Sequence, residues 1–229
     1  MSAIGVAAAA RNNAAWCSAV CGSHGDPGDL FDGYWRTLSA APRYYPNLVS
    51  LGPEPAPAVA GVRELERVRA AASWSIKDSF ATLALEREGF RILFEAEWIV
   101  RAAIARRSAV GTRFRKVESE AELAAWERAW GQSAGQSRIF LPSPLERSEI
   151  AILAARDRDG GIVAGVVANR AADAVGITNL FVCEREGEST RAECIEAAAE
   201  AFPRRAARPS RASLSARRAG AVVWSEQVH

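Results

Sequence analysis

Lysine is almost missing from this chain: of 29 basic residues, only Lys77 and Lys116 are not arginine. With the abundance of alanine, this reads as coding from a GC-rich gene and says little about mechanism. Histidine is as scarce, His24 being the one internal copy and His229 the last residue. A Ser-His-Asp or Cys-His hydrolase needs a histidine base, and His24 is the one internal choice, so hydrolase chemistry of that kind has little to rest on. No apolar stretch approaches the roughly 20 residues that cross a bilayer. A strong charge of either sign is lacking too: 29 bases against 27 acids leave a formal +2, which suggests neither a nucleic-acid binder nor a membrane-surface protein. There are four cysteines, at 17, 21, 183 and 194. Cys17, Cys21 and His24 have metal-like spacing, but a structural zinc site needs four ligands. On a helix the two thiols would share one face beside Trp16 and act as small hydrophobes. The opening "MSAIGVAAAARNN" lacks a charged n-region and is interrupted by Arg11. The expectation is therefore a mature cytoplasmic start and reduced thiols.

What is present is a mixed pattern of helices and strands. Asn12 or Asn13 is placed to cap a helix through "AAWCSAVCGSHG". "GDPGDLFDGYWRTLSAAP" reads as a turn and a short helix, "YYPNLVSL" as a strand, and "GPEPAPAVAG" as a loop. "VRELERVRAAA" is a helix. "WSIKDSFATLAL" and "FRILFEAEWIV" alternate with period two and read as a hairpin, with Trp74, Phe80, Phe94 and Trp98 in the core and Asp78 as an ion-pair partner for Lys77 or Arg91. "SEAELAAWERAWG" is a firm helix: Ser119 and Glu122 form a capping box, and Trp126 and Trp130 share a face. "DRDGG" sits between two apolar runs, so Asp159-Gly160 is the turn of a hairpin. "AVGITNLFV" is the next strand and "RAECIEAAAEAF" a helix.

Charge divides the second half. Residues 117–202 carry 8 arginines and 15 acids, about −7, whereas 203–229 carry six arginines and one acid. The simplest reading is compensation within the chain, contact of the tail with nucleic acid being the lesser one. The Arg/Ser/Ala bias of the tail is also what a GC-rich gene yields when read out of frame. Three divisions are expected. Residues 111–202 form the core, 1–110 a helix-and-hairpin region read as a divergent copy of that core, and 203–229 an Arg-rich segment of little order. The fold class expected is α+β, a mixed and mainly antiparallel sheet flanked by helices, with "FRILFEAEWI" packing beside the later strands.

The order of helix, DG hairpin, strand, loop and helix over 119–202 resembles the N-acetyltransferase superfamily called GNAT. "AAWCSAVCGSHG", "SIKDSF", "GFRILFEAEWI", "ELAAWERAWG" and "AGVVANRAADAVGITNLF" look like a bacterial group of GNAT-like proteins of mostly unassigned substrate. The resemblance implies a strand running into a loop of pattern Gln/Arg-x-x-Gly-x-Gly/Ala, whose amides bind the diphosphate of acetyl-CoA at a helix N-terminus. Laid on this sequence, the strand is Ile177 to Val182 and the loop Glu184-x-x-Gly187-x-Ser189. An acid stands where the superfamily has Gln or Arg, and serine takes the last small position. The implied cofactor-binding residues are Phe181, Val182, Gly187, Glu188 and Ser189. A carboxylate about 4 Å from a phosphate costs on the order of 1 kcal/mol in water and about 4 at a semi-buried site, so Glu184, Glu186 and Glu188 have to splay away or meet Arg185 and Arg191.

Two functions are expected. One is transfer of an acyl group from acetyl-CoA to a small-molecule or peptide amine. Glu95 and Glu97, on one face of a strand, would be the bases that take the amine proton, the other reading of that pair being a solvated strand face. The alternative is a GNAT-like domain without catalysis, serving as a binding or assembly module. Many members of the superfamily protonate the leaving thiolate with a tyrosine after the cofactor-binding helix, yet Tyr34, Tyr44 and Tyr45 all precede it here. No metal and no membrane partner are expected, and a homodimer is left open.

Overall fold

The structure is a computed structural model and describes residues 3–69, 73–99, 113–131, 136–202 and 219–225. In chain order its elements are α1 (Ala3–Ser23), β1 (Asp29–Phe31), β2 (Tyr34–Arg36), β3 (Leu48–Ser50), α2 (Pro55–Arg69), β4 (Trp74–Asp78), β5 (Phe90–Glu97), β6 (Phe114–Lys116), α3 (Glu120–Trp130), β7 (Ile150–Arg156), β8 (Ile162–Ala171), β9 (Ala174–Val182), α4 (Glu188–Glu200) and β10 (Ala219–Ser225). The fold is α+β, with two mainly antiparallel sheets flanked by helices. They belong to two compact units: the described residues up to 99 with 219–225, and residues 113–202.

The first unit holds a sheet of order β1-β2-β3-β4-β10-β5, with one parallel pair, β3 and β4. Its core packs Leu48, Val62, Leu65, Trp74, Ile76 and Phe90 between α2 and the sheet. Four expectations are corrected here. First, α1 begins at Ala3 and Asn12 lies buried inside it, because Val6, Ala10, Ala14, Cys17 and Cys21 make one buried stripe down an alanine-rich helix. Second, residues 29–36 form a hairpin and no helix: Asp32-Gly33 is its turn, with Gly33 at φ 89°. Third, the proline-rich stretch opens α2, since Pro55 and Pro57 fall in a first turn where a missing N–H breaks no helical bond.

The fourth correction is topological. β4 and β5 are not paired with each other, because β10 lies between them, antiparallel to both. Alternation tells which face a residue takes but not which strand lies alongside, so a partner far along the chain escapes a local reading. A bulge at Leu93, opposite Val222 and Val223, also breaks the period in β5 and leaves Phe94 55% exposed rather than in the core. Residues 219–225 of the expected tail are thus a strand paired on both sides, and β5 joins this sheet rather than that of the later strands.

The second unit is built around the sheet β6-β7-β8-β9. The β7–β8 hairpin turns where expected, Gly160 having φ 84° and Asp157 accepting from the amides of Asp159 and Gly161. β8 turns into β9 through Ala172 and Asp173, both at positive φ, a tight turn without a glycine to announce it. α4 covers one face, packing Cys194, Ala197 and Ala198 on Ala164, Val166 and Ala168. α3 covers the other: Ser119 and Glu122 make the capping box, and Trp126 is fully buried with its Nε1 donating to the Leu153 carbonyl at 2.9 Å. Burying a side chain of that size contributes about 2–3 kcal/mol. Trp126 meets Phe140 and Phe181 edge-on, at 5.5 and 5.2 Å between ring centres. Gly165 permits this, since a Cβ there would collide with both the Phe181 ring and Trp126 Nε1. Glu127 on α3, which no sequence pattern singled out, is fully buried and accepts from the amides of Ile139 and Phe140 and from Arg138.

Candidate functional site

β9 is the last strand of its sheet among the described residues, so its outer side has no strand partner there. Cys183 N–H donates to the Val163 carbonyl at 2.9 Å. Antiparallel alternation therefore turns the peptide groups of Val182 outward. Upstream, the register shifts opposite Gly165 to Val167 and Asn179 sits at φ 50°, which marks a bulge that re-aims the strand before its end. Phe181 and Val182 spend their side chains on packing, Phe181 against Trp126 and Val182 against the α4 core. What they can offer a ligand is backbone.

The loop after β9 is tight. Glu186 N–H donates to the Cys183 carbonyl at 2.9 Å, and α4 starts at Glu188 with Gly187 as its N-cap. No side chain caps this helix, and Thr190 N–H closes the first turn on Gly187 O at 3.0 Å. Among the described residues the amides of Gly187, Glu188 and Ser189 have no intrachain acceptor, and all three residues are exposed. Orphan N–H groups at the positive end of a 13-residue helix favour a negative group.

The acids around them are largely accounted for. Glu186 takes a salt bridge from Arg113 at 2.7 Å and a hydrogen bond from Thr190 Oγ1 at 3.0 Å. The guanidinium and then the hydroxyl hold its carboxyl below the usual glutamate range. Arg113 also reaches Glu193 at 3.1 Å and Thr190 Oγ1 at 2.9 Å. Arg191 lies 3.7 Å from Glu188 on the same helix. Arg185 turns instead to Asp157. Glu184 is exposed. Arg113, the residue that ties the loop to β6, was invisible in the sequence, being one of several arginines in a basic connection.

Glu95 and Glu97 lie in the other unit, on exposed positions of β5 opposite Ala221 and Ala219. The tyrosines are in that unit too, Tyr34 and Tyr45 buried and Tyr44 exposed. Cys17 and Cys21 are buried free thiols, both pushed up to about 12 chiefly by burial, as suits small hydrophobic side chains. Among the described residues no helix is long and apolar enough to cross a membrane.

No family model matches the chain, and no curated protein matches its sequence. A solved structure does: a GCN5-related N-acetyltransferase from Kribbella flavida, 17% identical, with a TM-score of 0.52 over 84% of this chain and 79% of that one. At that identity the likeness is one of fold. The strand, bulge, unpaired loop amides and helix thus stand on a scaffold of the GCN5-related N-acetyltransferase kind.

Proposed function

We propose that the protein is an N-acyltransferase that binds an acyl-CoA at the end of β9 and passes the acyl group to an amine. The observation that carries this is the set of unpartnered amides at Gly187, Glu188 and Ser189, which fit a diphosphate. Arg113 supports it by pairing with Glu186 and Glu193, which offsets part of the negative charge beside the loop. The outward peptide groups of Val182 would align the acyl arm. Bound there, acetyl-CoA supplies an activated thioester carbonyl. Glu95 or Glu97 is kept as the base for the amine proton, on the strength of a shared strand face.

A specific observation favours the non-catalytic alternative: all three tyrosines precede α4, so none comes after it to protonate the leaving thiolate. Acetyl-CoA separates binding from its absence. At 100 times Kd it should raise stability by about 2.7 kcal/mol, and Glu184→Gln should tighten binding by removing a like charge. A Glu95→Gln, Glu97→Gln double variant should then lower turnover by roughly a hundredfold at unchanged CoA affinity. No thermal shift at millimolar acetyl-CoA removes the transferase reading, whereas a shift without turnover on any amine leaves the binding module.

A further inference from the structure

Among the described residues the two sheets end in four edge strands, β1, β5, β6 and β9. Open edges invite pairing with another chain, and proteins blunt them with charge, proline or shortness. β1 has three residues, one of them Asp29, and β6 has three with Arg115 and Lys116. β5 carries Arg91, Glu95 and Glu97. β9 differs: its nine residues, Ala174–Val182, include neither a charge nor a proline. Its first half also shows apolar side chains to solvent, Val175 being 38% exposed and Ile177 40%.

The direction of the peptide groups in that half follows from the neighbouring strands. Arg170 N–H donates to the Glu149 carbonyl, so Arg170 is turned towards the β7 side. Asn169 and Ala171, next to it on β8, are turned the other way and meet Gly176 and Ala174. The peptide groups of Val175 and Ile177 therefore point to the open side. The extended run is bounded by two residues at positive φ, Asp173 at 59° and Asn179 at 50°. Gly176 is equidistant from them in sequence, so the open stretch is symmetric about a glycine.

We propose that the first half of β9 is a dimer contact, pairing antiparallel with the same strand of a second copy about a two-fold axis at Gly176. In that register Val175 lies opposite Ile177 of the second copy, and Ile177 opposite its Val175. Both residues face outward, so each pair exchanges both of its N–H···O bonds. The two glycines meet at the non-hydrogen-bonded position between, where Cα atoms come within about 4.5 Å and no Cβ intervenes. Val175 and Ile177 share the sheet face of Arg170 and Ala168, so each apolar side chain covers its opposite. Charge agrees with a second copy as the occupant. A two-fold contact brings groups close to their own copies, and a strand without charges has no like pair to confront. At the ends Asp173 falls opposite Asn179 of the second copy, a carboxylate against an amide. The pairing stops there, at the bulge, and leaves the outward peptide groups of Val182 clear. The contact is thus independent of any acyl-CoA.

The test is sedimentation velocity of the full chain over about a hundredfold range of concentration, with amide hydrogen exchange on the same samples. A reversible dimer is expected. Protection of the Val175 and Ile177 amides should rise with concentration, while that of Gly176, bonded to β8, stays constant. Val175→Lys and Ile177→Glu are each expected to weaken the dimer at least about tenfold, since a substitution counts twice at a two-fold contact. Mixing the two variants sets opposite charges across one pair and is expected to give a heterodimer tighter than either variant alone. A monomer at every concentration overturns the proposal. So do Val175 and Ile177 amides equally protected at all concentrations, which means that the chain covers its own edge. A dimer that Val175→Lys leaves intact is held by another surface and overturns it too, and a mixture no tighter than its parts overturns the register.

Discussion

The two units gather their sheets differently. In the second, β7, β8 and β9 succeed one another through tight turns, and each pairs with its neighbour in the chain. The first unit places β10, from the far end of the chain, between β4 and β5. Contacts of the first kind form early and survive change elsewhere; those of the second need a long loop to close before they give any return. The comparison teaches where the molecule can be cut and where it cannot.

The largest effect expected is from deleting residues 213–229. The sheet then loses the strand that joins β5 to β4, at a cost on the order of the whole stability margin, about 5 kcal/mol or more. Hydrogen exchange is expected to show protection lost in β4 and β5 and kept in β7 and β8; protection kept throughout would break the comparison. Next comes Gly165→Val, whose side chain meets the Phe181 ring and Trp126. A loss of about 1–3 kcal/mol is expected, read by denaturant melts and confined to the second unit. Ser119→Ala removes the side-chain cap of α3 and should cost about 1 kcal/mol in the same unit.

The smallest effect is one of pH. Burial tends to raise the Asp26 carboxyl, but donors from Thr37, Ser39 and Gly28 outweigh it and hold the group below the usual aspartate range. A carboxyl depressed on folding stabilises the fold above its unfolded value, about 3.9, and that contribution fades as pH falls through the folded one. Glu186 in the second unit behaves alike. Asp26→Asn should flatten the acid limb of melts of the first unit alone.

Legibility falls along the same divide. The α3 capping box, the Asp159-Gly160 turn and the strand-loop-helix around Gly187 were all readable, because each signal lies within a few residues of what it specifies. Asp32-Gly33 carries the same turn signal, but a proline and two glycines just before it mask where the turn falls. The position of β10 was out of reach, since an Arg-rich sequence hides its seven residues and pairing partners leave no local mark. At the candidate site the backbone geometry was legible but its electrostatics were not. Nothing in "GTRFRKV" distinguishes Arg113 from Arg115, yet Arg113 is the one that pairs Glu186. Glu127 owes its interest to burial, which charge alone does not announce.

The most direct test of the account is a calorimetric CoA titration comparing Glu188→Ala with Glu188→Pro. Both remove the acid, but only proline removes the N–H, at the first helical position where it leaves the helix intact. If the free amides of α4 seat the diphosphate, the proline variant binds roughly tenfold or more weakly than the alanine one, as loss of a hydrogen bond to a charged group requires. Equal affinities in the two, or no heat from CoA in either, would contradict it.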